Sequence, residues 1–172
     1  LWEIGFAFHH FDWKWEHRVQ SAFVTYKEEH GDLNVPVAFV IPSSAPWAEE
    51  TWGMKLGFAV INIRSRGDYL SDDKPERKEW LDEMGFVWDS AQHTFDTVVV
   101  PALEWYGREH QGDVDVPALY VMGAAECRAA GLPAHVSELR LGQTVSHIRA
   151  REIFVSGRPG NRARLEEMGV RL

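Results

Sequence analysis

Tyr26-Lys27-Glu28-Glu29-His30-Gly31-Asp32-Leu33-Asn34-Val35-Pro36 returns 80 residues later as Tyr106-Gly107-Arg108-Glu109-His110-Gln111-Gly112-Asp113-Val114-Asp115-Val116-Pro117, with Gln111 as a one-residue insertion. Self-similarity at a fixed offset is the signature of a repeat architecture, and here it extends well beyond the quoted stretch. Upstream, Trp15, Val19, Ala22 and Phe23 fall on Phe95, Val99, Ala102 and Leu103. Downstream, Leu56-Gly57 with Arg64 and Arg66 falls on Leu141-Gly142 with Arg149 and Arg151. Leu81-Asp82-Glu83-Met84-Gly85-Phe86 is echoed by Leu165-Glu166-Glu167-Met168-Gly169-Val170 and by Leu1-Trp2-Glu3-Ile4-Gly5-Phe6. This ordered series predicts two whole units, 9–89 and 90–172, joined by a short linker and preceded over 1–8 by the tail of another repeat. The opening Leu1 fits an array cut within a unit.

Each unit reads as helical. In the first, apolar positions 15, 19, 22, 23 and 26 follow the i, i+4, i+7, i+8, i+11 spacing of one buried helical face. His30-Gly31 ends that helix, because glycine takes the left-handed conformation that caps a C-terminus. Residues 32–46, with three prolines, read as a loop. A second helix is expected over about 48–66, with Trp52, Leu56, Val60 and Ile63 inward and Gly67 ending it. A third begins at Asp73, whose carboxylate would cap the helix while Glu76 reaches back, with Trp80, Leu81 and Met84 toward the core and Gly85 closing it. In the second unit Pro101 is placed in the first turn of the first helix, since further inside it would break the backbone ladder. The longer middle loop, 119–133, is rich in Ala and Gly and is expected to be partly helical or mobile. The fold class that follows is all-α, two tandem three-helix bundles.

Composition narrows the function. The chain has 172 residues, 45% hydrophobic and 12% aromatic, which allows a sizeable core and excludes global disorder. No apolar run approaches the roughly 18–20 residues that span a bilayer. Cys127 is the only cysteine, which excludes a disulfide scaffold and fits an intracellular, reducing compartment. Eighteen basic residues stand against 26 acidic ones, a net charge of −8. The acid is concentrated early: residues 16–92 sum to −6, whereas 128–172 hold eight arginines against four glutamates, or +4. An acidic surface repels phosphate backbones and anionic lipid, but the late arginine-rich stretch is an exception.

The ordered motifs resemble the helicase-associated domain, a small all-helical repeat found in tandem at the ends of some bacterial helicases and in many algal proteins. The first unit carries the pattern in Tyr26, His30, Gly31, Asp32, Val35, Pro36, Leu56, Gly57, Arg64, Gly67, Leu70, Leu81, Gly85, Phe86 and Trp88. The second keeps Tyr106, His110, Gly112, Asp113, Val116, Pro117, Leu141, Gly142, Arg149, Leu165 and Gly169. The resemblance implies nucleic-acid binding beside a motor. The sequence departs from the pattern where it matters most for that role. After Leu-Gly the family usually places a Trp and then a Gln directly before the Arg, and those slots hold Ala59 and Ile63, then Thr144 and Ile148. Groups able to stack on a base or hydrogen-bond its edge are thereby lost. No Gly-x-x-x-x-Gly-Lys-Ser/Thr phosphate loop is present.

The remaining polar clusters point to structure rather than catalysis. His9, His10, Asp12, Glu16 and His17 are close in sequence, but adjacent histidines point their rings apart and no second cluster closes four ligands. His30 with Asp32, and His110 with Asp113, could do acid–base work, yet both pairs sit at a predicted helix end, where imidazole meets the last carbonyls and Asp caps the turn. Cys127 lacks a partner at catalytic spacing, and Gly157-Arg158-Pro159-Gly160 reads as a turn between helices. The eight tryptophans (2, 13, 15, 47, 52, 80, 88 and 105) read as core. No enzyme, cofactor or metal is expected.

Two functions of different class follow. One is a non-catalytic interaction or scaffold element in a larger protein or assembly, gripping a protein partner and neighbouring repeats of its own chain. The other is a nucleic-acid-binding module in which Arg140, Arg149, Arg151, Arg158, Arg162 and Arg164 contact phosphates. Those arginines could equally pair with Glu138, Glu152, Glu166 and Glu167 at helical spacings. The first reading is preferred.

Overall fold

A computed structural model describes residues 10–172. The expected repeat tail over 1–8 lies outside them, as does His9. The chain divides between Trp88 and Asp89 into two compact units, each with its own apolar core. Among the described residues the regular structure is helical, with β pairing confined to two isolated bridges.

The first unit opens with a helical run over 10–30. It contains a wider π-helical turn, Trp15–Val19, followed by α1, Gln20–His30. Its apolar stripe is buried throughout: Trp15, Val19, Ala22, Phe23 and Tyr26. Gly31 adopts φ 85° and donates its N–H to the Lys27 carbonyl at 2.8 Å, the expected left-handed stop. The second unit repeats the arrangement with α2, Ser90–Thr94, a π-helical turn, Phe95–Val99, and α3, Val100–Glu109. Here Phe95, Val99, Ala102, Leu103 and Tyr106 are buried. Pro101 is the second residue of α3, in its first turn as expected, although the π-helical turn runs directly into that helix. A proline ring collides with the carbonyl four residues back, that of Thr97, and Thr97 lies in the widened turn, which gives that carbonyl room.

The later helices of the first unit are α4, Leu56–Arg66, and α5, Pro75–Glu83. Two start sites differ from expectation. Residues 48–55 are not helical beyond a single 3-10 turn, Glu49–Thr51, because Gly53 takes φ 71° and Trp52 an extended ψ of 136°. Trp52 is accordingly 37% exposed rather than inward, with its indole N–H held by the Trp47 carbonyl. The third helix starts at Pro75 behind Lys74, with no side-chain cap. Proline, which lacks the N–H a cap would satisfy, replaces the Asp73 cap outright. In the second unit α7, Leu141–Arg151, and α8, Pro159–Glu167, match α4 and α5.

The units differ most in their middle loops. In the first, Ile41 pairs with 53–54, the Ile41 N–H donating to the Met54 carbonyl at 2.9 Å. In the second, Met122 pairs with Leu139 by two bonds of 2.8 and 3.0 Å. Between those anchors the second unit inserts α6, Ala124–Ala129, so its bundle carries a fourth, short helix. The Glu126 carboxylate accepts from the Gly123 N–H at 2.8 Å, which fixes the start of α6.

Candidate functional site

The repeated motifs build one local device twice. The chain leaving α1 turns at Gly31, and Asp32 Oδ1 accepts from the Asn34 N–H at 2.9 Å. It then crosses the start of α4 at Pro36-Val37. A methyl group on Gly57 would overlap the Pro36 and Val37 carbonyl oxygens. Contact this close leaves room only for hydrogen, which is why Leu-Gly opens the helix. The Gly57 N–H donates to the Phe39 carbonyl at 3.2 Å. In the second unit Gly142 meets the Pro117 and Ala118 carbonyls, and its N–H donates to Tyr120 at 3.0 Å. Asp113 Oδ1 accepts from the Asp115 N–H at 2.8 Å.

Tyr26 and His30, and likewise Tyr106 and His110, close this device with rings. Tyr26 lies 4.2 Å from His30 and 5.0 Å from Phe39. Tyr106 stacks on His110 at 3.8 Å and meets Tyr120 edge-on at 4.9 Å. His110 Nδ1 lies 2.8 Å from the Tyr106 carbonyl, so the ring is engaged with the end of its own helix. Burial pushes the Tyr26 phenol up to about 12, with Asp32 adding to the effect. A phenol held neutral by burial is a packing group, not an acid or base at ordinary pH.

A second polar knot carries no local sequence motif. Arg77, only 6% exposed, donates to Asp12 at 2.5 Å and to the Tyr69 carbonyl at 3.1 Å, and its guanidinium lies 5.4 Å from the Trp15 ring. Lys74 also pairs with Asp12. The second unit has a neutral version. Asn161, 8% exposed, exchanges two bonds with the Gln92 amide, 2.9 and 3.0 Å, and donates to the Phe154 carbonyl at 2.7 Å. Tyr69 and Phe154 share a left-handed backbone, φ 68° and 65°, which presents the carbonyl to its donor. Gln92 falls on Asp12 at the 80-residue offset and Asn161 on Arg77 at 84, so the alignment contained the signal.

Five of the six candidate phosphate-contacting arginines meet carboxylates of their own unit. Arg158 reaches Asp89 at 2.8 Å, Arg162 reaches Glu152 at 2.8 Å and Arg149 reaches Asp115 at 3.1 Å. Arg164 lies 3.3 Å from Asp96 and 3.8 Å from Glu104, and Arg140 is 3.9 Å from Glu138. The Arg158 hydrogen bond and the Gln92 N–H hold the Asp89 carboxyl below its usual range. Arg149 also donates from Nε to the Arg171 carbonyl at 2.9 Å, as Arg64 does to Val87 at 2.6 Å. These two arginines clamp the chain that follows the last helix of each unit. Arg151 is exposed at the end of α7. Ile63 and Ile148, in the Gln slot of the family pattern, are buried, and the Thr144 hydroxyl donates to the Arg140 carbonyl.

The other candidates take structural places. His17 stacks on Trp13 at 5.0 Å and its Nδ1 lies 3.0 Å from the Trp13 carbonyl. Among the described residues no group of three His, Cys, Asp or Glu side chains is placed to hold a metal. Cys127 is 1% exposed inside α6, where burial raises its thiol above the ordinary value. Of the tryptophans expected in the core, Trp15 and Trp47 are buried, while Trp13, Trp52 and Trp88 are at least 37% exposed. Trp88 is pinned at the surface by Asp82, which accepts its indole N–H at 2.7 Å, and by Lys78, 5.2 Å from the ring. With Phe11, Phe58 and Leu119 these residues give the surface a marked apolar share. No helix among the described residues is long and apolar enough to cross a membrane.

The glycine seat, the ring pair and the arginine clamp all lie within the region that the family model of the helicase associated domain matches, residues 12–89. Residues 12–89 match the helicase associated domain. The geometry gives the motifs of the matched region their roles: Tyr-x-x-x-His ends a helix, Gly-Asp turns the chain, Val-Pro crosses the next helix and Leu-Gly admits it. The second unit has the same glycine seat, ring pair and arginine clamp, with Gln111 inserted before its turn, though the match itself ends at 89. No curated protein sequence and no solved structure matches the chain.

Proposed function

We propose that the chain is a non-catalytic interaction element, a pair of helical units that holds a protein partner within a larger assembly. The observation that carries this reading is the pairing of Arg140, Arg149, Arg158, Arg162 and Arg164 with carboxylates of their own unit. Exposed pairs of this kind are worth under about 1 kcal/mol, so their strength is not the point. Their effect is to cancel the field that would draw a phosphate backbone to the +4 segment, in a chain already at −8. The apolar groups left at the surface, Trp13 and Leu119 among them, are the kind of side chain that a protein partner covers. A reducing, intracellular setting accords with the single thiol of Cys127.

The test is fluorescence anisotropy of labelled single-stranded DNA, duplex DNA and RNA, titrated with the chain from low to physiological salt. The expected result is no binding at physiological salt. Micromolar binding that falls steeply with salt would reverse the preference in favour of nucleic acid. In that event replacing Arg149 and Arg151 with Ala should lower the salt slope by about 2.

A further inference from the structure

The first unit holds a cationic cleft that its acidic composition hides. Lys14, Arg18 and Lys55 line a cavity of about 410 Å³ together with Phe58, Asn62 and Asp68. That volume lies within the roughly 300–1,000 Å³ typical of ligand sites. The unit's other cations are engaged elsewhere: Lys74 and Arg77 on Asp12, Lys78 on Asp82, Arg66 on Asp68, Lys27 on the Met84 carbonyl and Arg64 on the Val87 carbonyl. Lys14, Arg18 and Lys55 make no ion pair among the described residues, and the buried Nε of Arg18 has no hydrogen-bond partner there. A buried N–H donor without an acceptor is costly, and an incoming oxyanion would recover that cost. The same cleft lies at the start of α4, where Lys55 provides no side-chain cap and the positive end of the helix dipole adds to the attraction. Asp68, the one acidic group of the lining, already faces Arg66 at 3.4 Å.

The second unit lacks this feature. Lys14 and Arg18 fall on Thr94 and Val98, and Phe58 and Asn62 on Gln143 and His147; only Lys55 keeps a cation, at Arg140. The cleft is therefore a departure of one unit from the shared scaffold rather than part of it.

Resting on the reading of the chain as a protein-interaction element, we propose that this cleft binds an acidic segment of a protein partner, one that carries two carboxylates beside an apolar side chain. Charge complementarity selects the carboxylates. Phe58, 53% exposed with the Lys55 ammonium 6.0 Å from its ring, and Met54 provide the apolar wall. A long polyanion fits less well, because it would extend past the cleft over a unit whose residues 16–92 carry a net −6.

Amide NMR of the isotopically labelled full chain tests this with an acetylated Glu-Leu-Phe-Glu peptide, its Gln-Leu-Phe-Gln counterpart and a short oligothymidylate as probes. The acidic peptide should shift the amides of 14–19 and 53–62 in a saturable way and bind at least about tenfold more tightly than the Gln peptide, one unit of 1.4 kcal/mol. Arg18→Gln and, as a surface change that leaves the core intact, Lys55→Gln should each weaken binding about fivefold, whereas Arg140→Gln should not. Equal shifts from both peptides, no shifts, or indifference to Lys55→Gln would overturn the proposal. If neither peptide nor oligonucleotide binds, the cleft assignment falls and the interaction reading stands. If the oligonucleotide binds at the same amides more tightly than the peptide, both fall.

Discussion

Gly57 and Gly142 are set apart from the other described glycines by what stands against them. Each faces backbone carbonyls of the crossing loop, whereas Gly160, inside α8, has open space where its Cβ would be. Gly142→Ala should therefore lose about 2 kcal/mol, because backbone cannot step aside as a flexible side chain can. Gly160→Ala should gain about 0.5 kcal/mol from the unfolded chain's lost freedom. Urea unfolding of the two variants checks both, and equal midpoints would remove the steric account of the Leu-Gly motif. Tyr26 has a comparable weight by a different route: it is 4% exposed between His30 and Phe39. Tyr26→Ala should cost about 3 kcal/mol, as emptying an aromatic core site does. A thermal transition that overlays the parent's would count against the repeat alignment itself. These positions were legible in the sequence because packing repeats its residue types. Glu152 shows the limit: it ends α7 at φ 53° where the first unit uses Gly67, so the usual glycine signal was missing.

At the scale of elements, the same seat is filled by different chemistry in the two units. Asp12, Arg77 and the Tyr69 carbonyl tie the first helical run to α5, and Gln92, Asn161 and the Phe154 carbonyl tie α2 to α8. Only the first knot titrates. Hydrogen bonds from Lys74 and Arg77 hold the Asp12 carboxyl below its ordinary 3.8. A carboxyl depressed in the folded state stabilises it fully above the unfolded value and loses that contribution as pH falls through the folded one. Stability of the first unit should thus decline below about pH 4 in a way that Asp12→Asn flattens. Circular dichroism melts stepped through that range would show it, and parallel curves for parent and variant would contradict it. The sequence does not display the knot, because its members lie far apart in the chain and no local motif marks them. The helix starts depart from the hydrophobic pattern for a related reason. Trp52 fitted the helical spacing of Leu56 and Val60, but Gly53 breaks the backbone between them, and a hydrophobic period does not record a backbone break.

At the scale of the whole molecule, two separate cores within one chain imply two folding units. A fragment spanning 89–172 should be helical and unfold cooperatively on its own, since its core draws on Phe95 through Val170 alone. A gradual, non-cooperative melt would show that this core depends on residues before Asp89. The all-α class was legible because an apolar stripe of helical spacing occurs in both halves of the chain. The middle loops were not, because nothing in an Ala- and Gly-rich stretch distinguishes α6 from coil until Glu126 is seen capping it. The arginine surface was hidden for a deeper reason: its acidic partners, Asp89, Asp96 and Asp115, lie more than 30 residues away along the chain and never appear in a local charge count.

Cys127 turns one of these cores into its own clock. As the chain's single thiol, sealed inside α6 with its ionisation suppressed by burial, it can meet a thiol reagent only when the second unit opens. The rate at which an alkylating dye attaches therefore counts openings of that unit and is silent about the first.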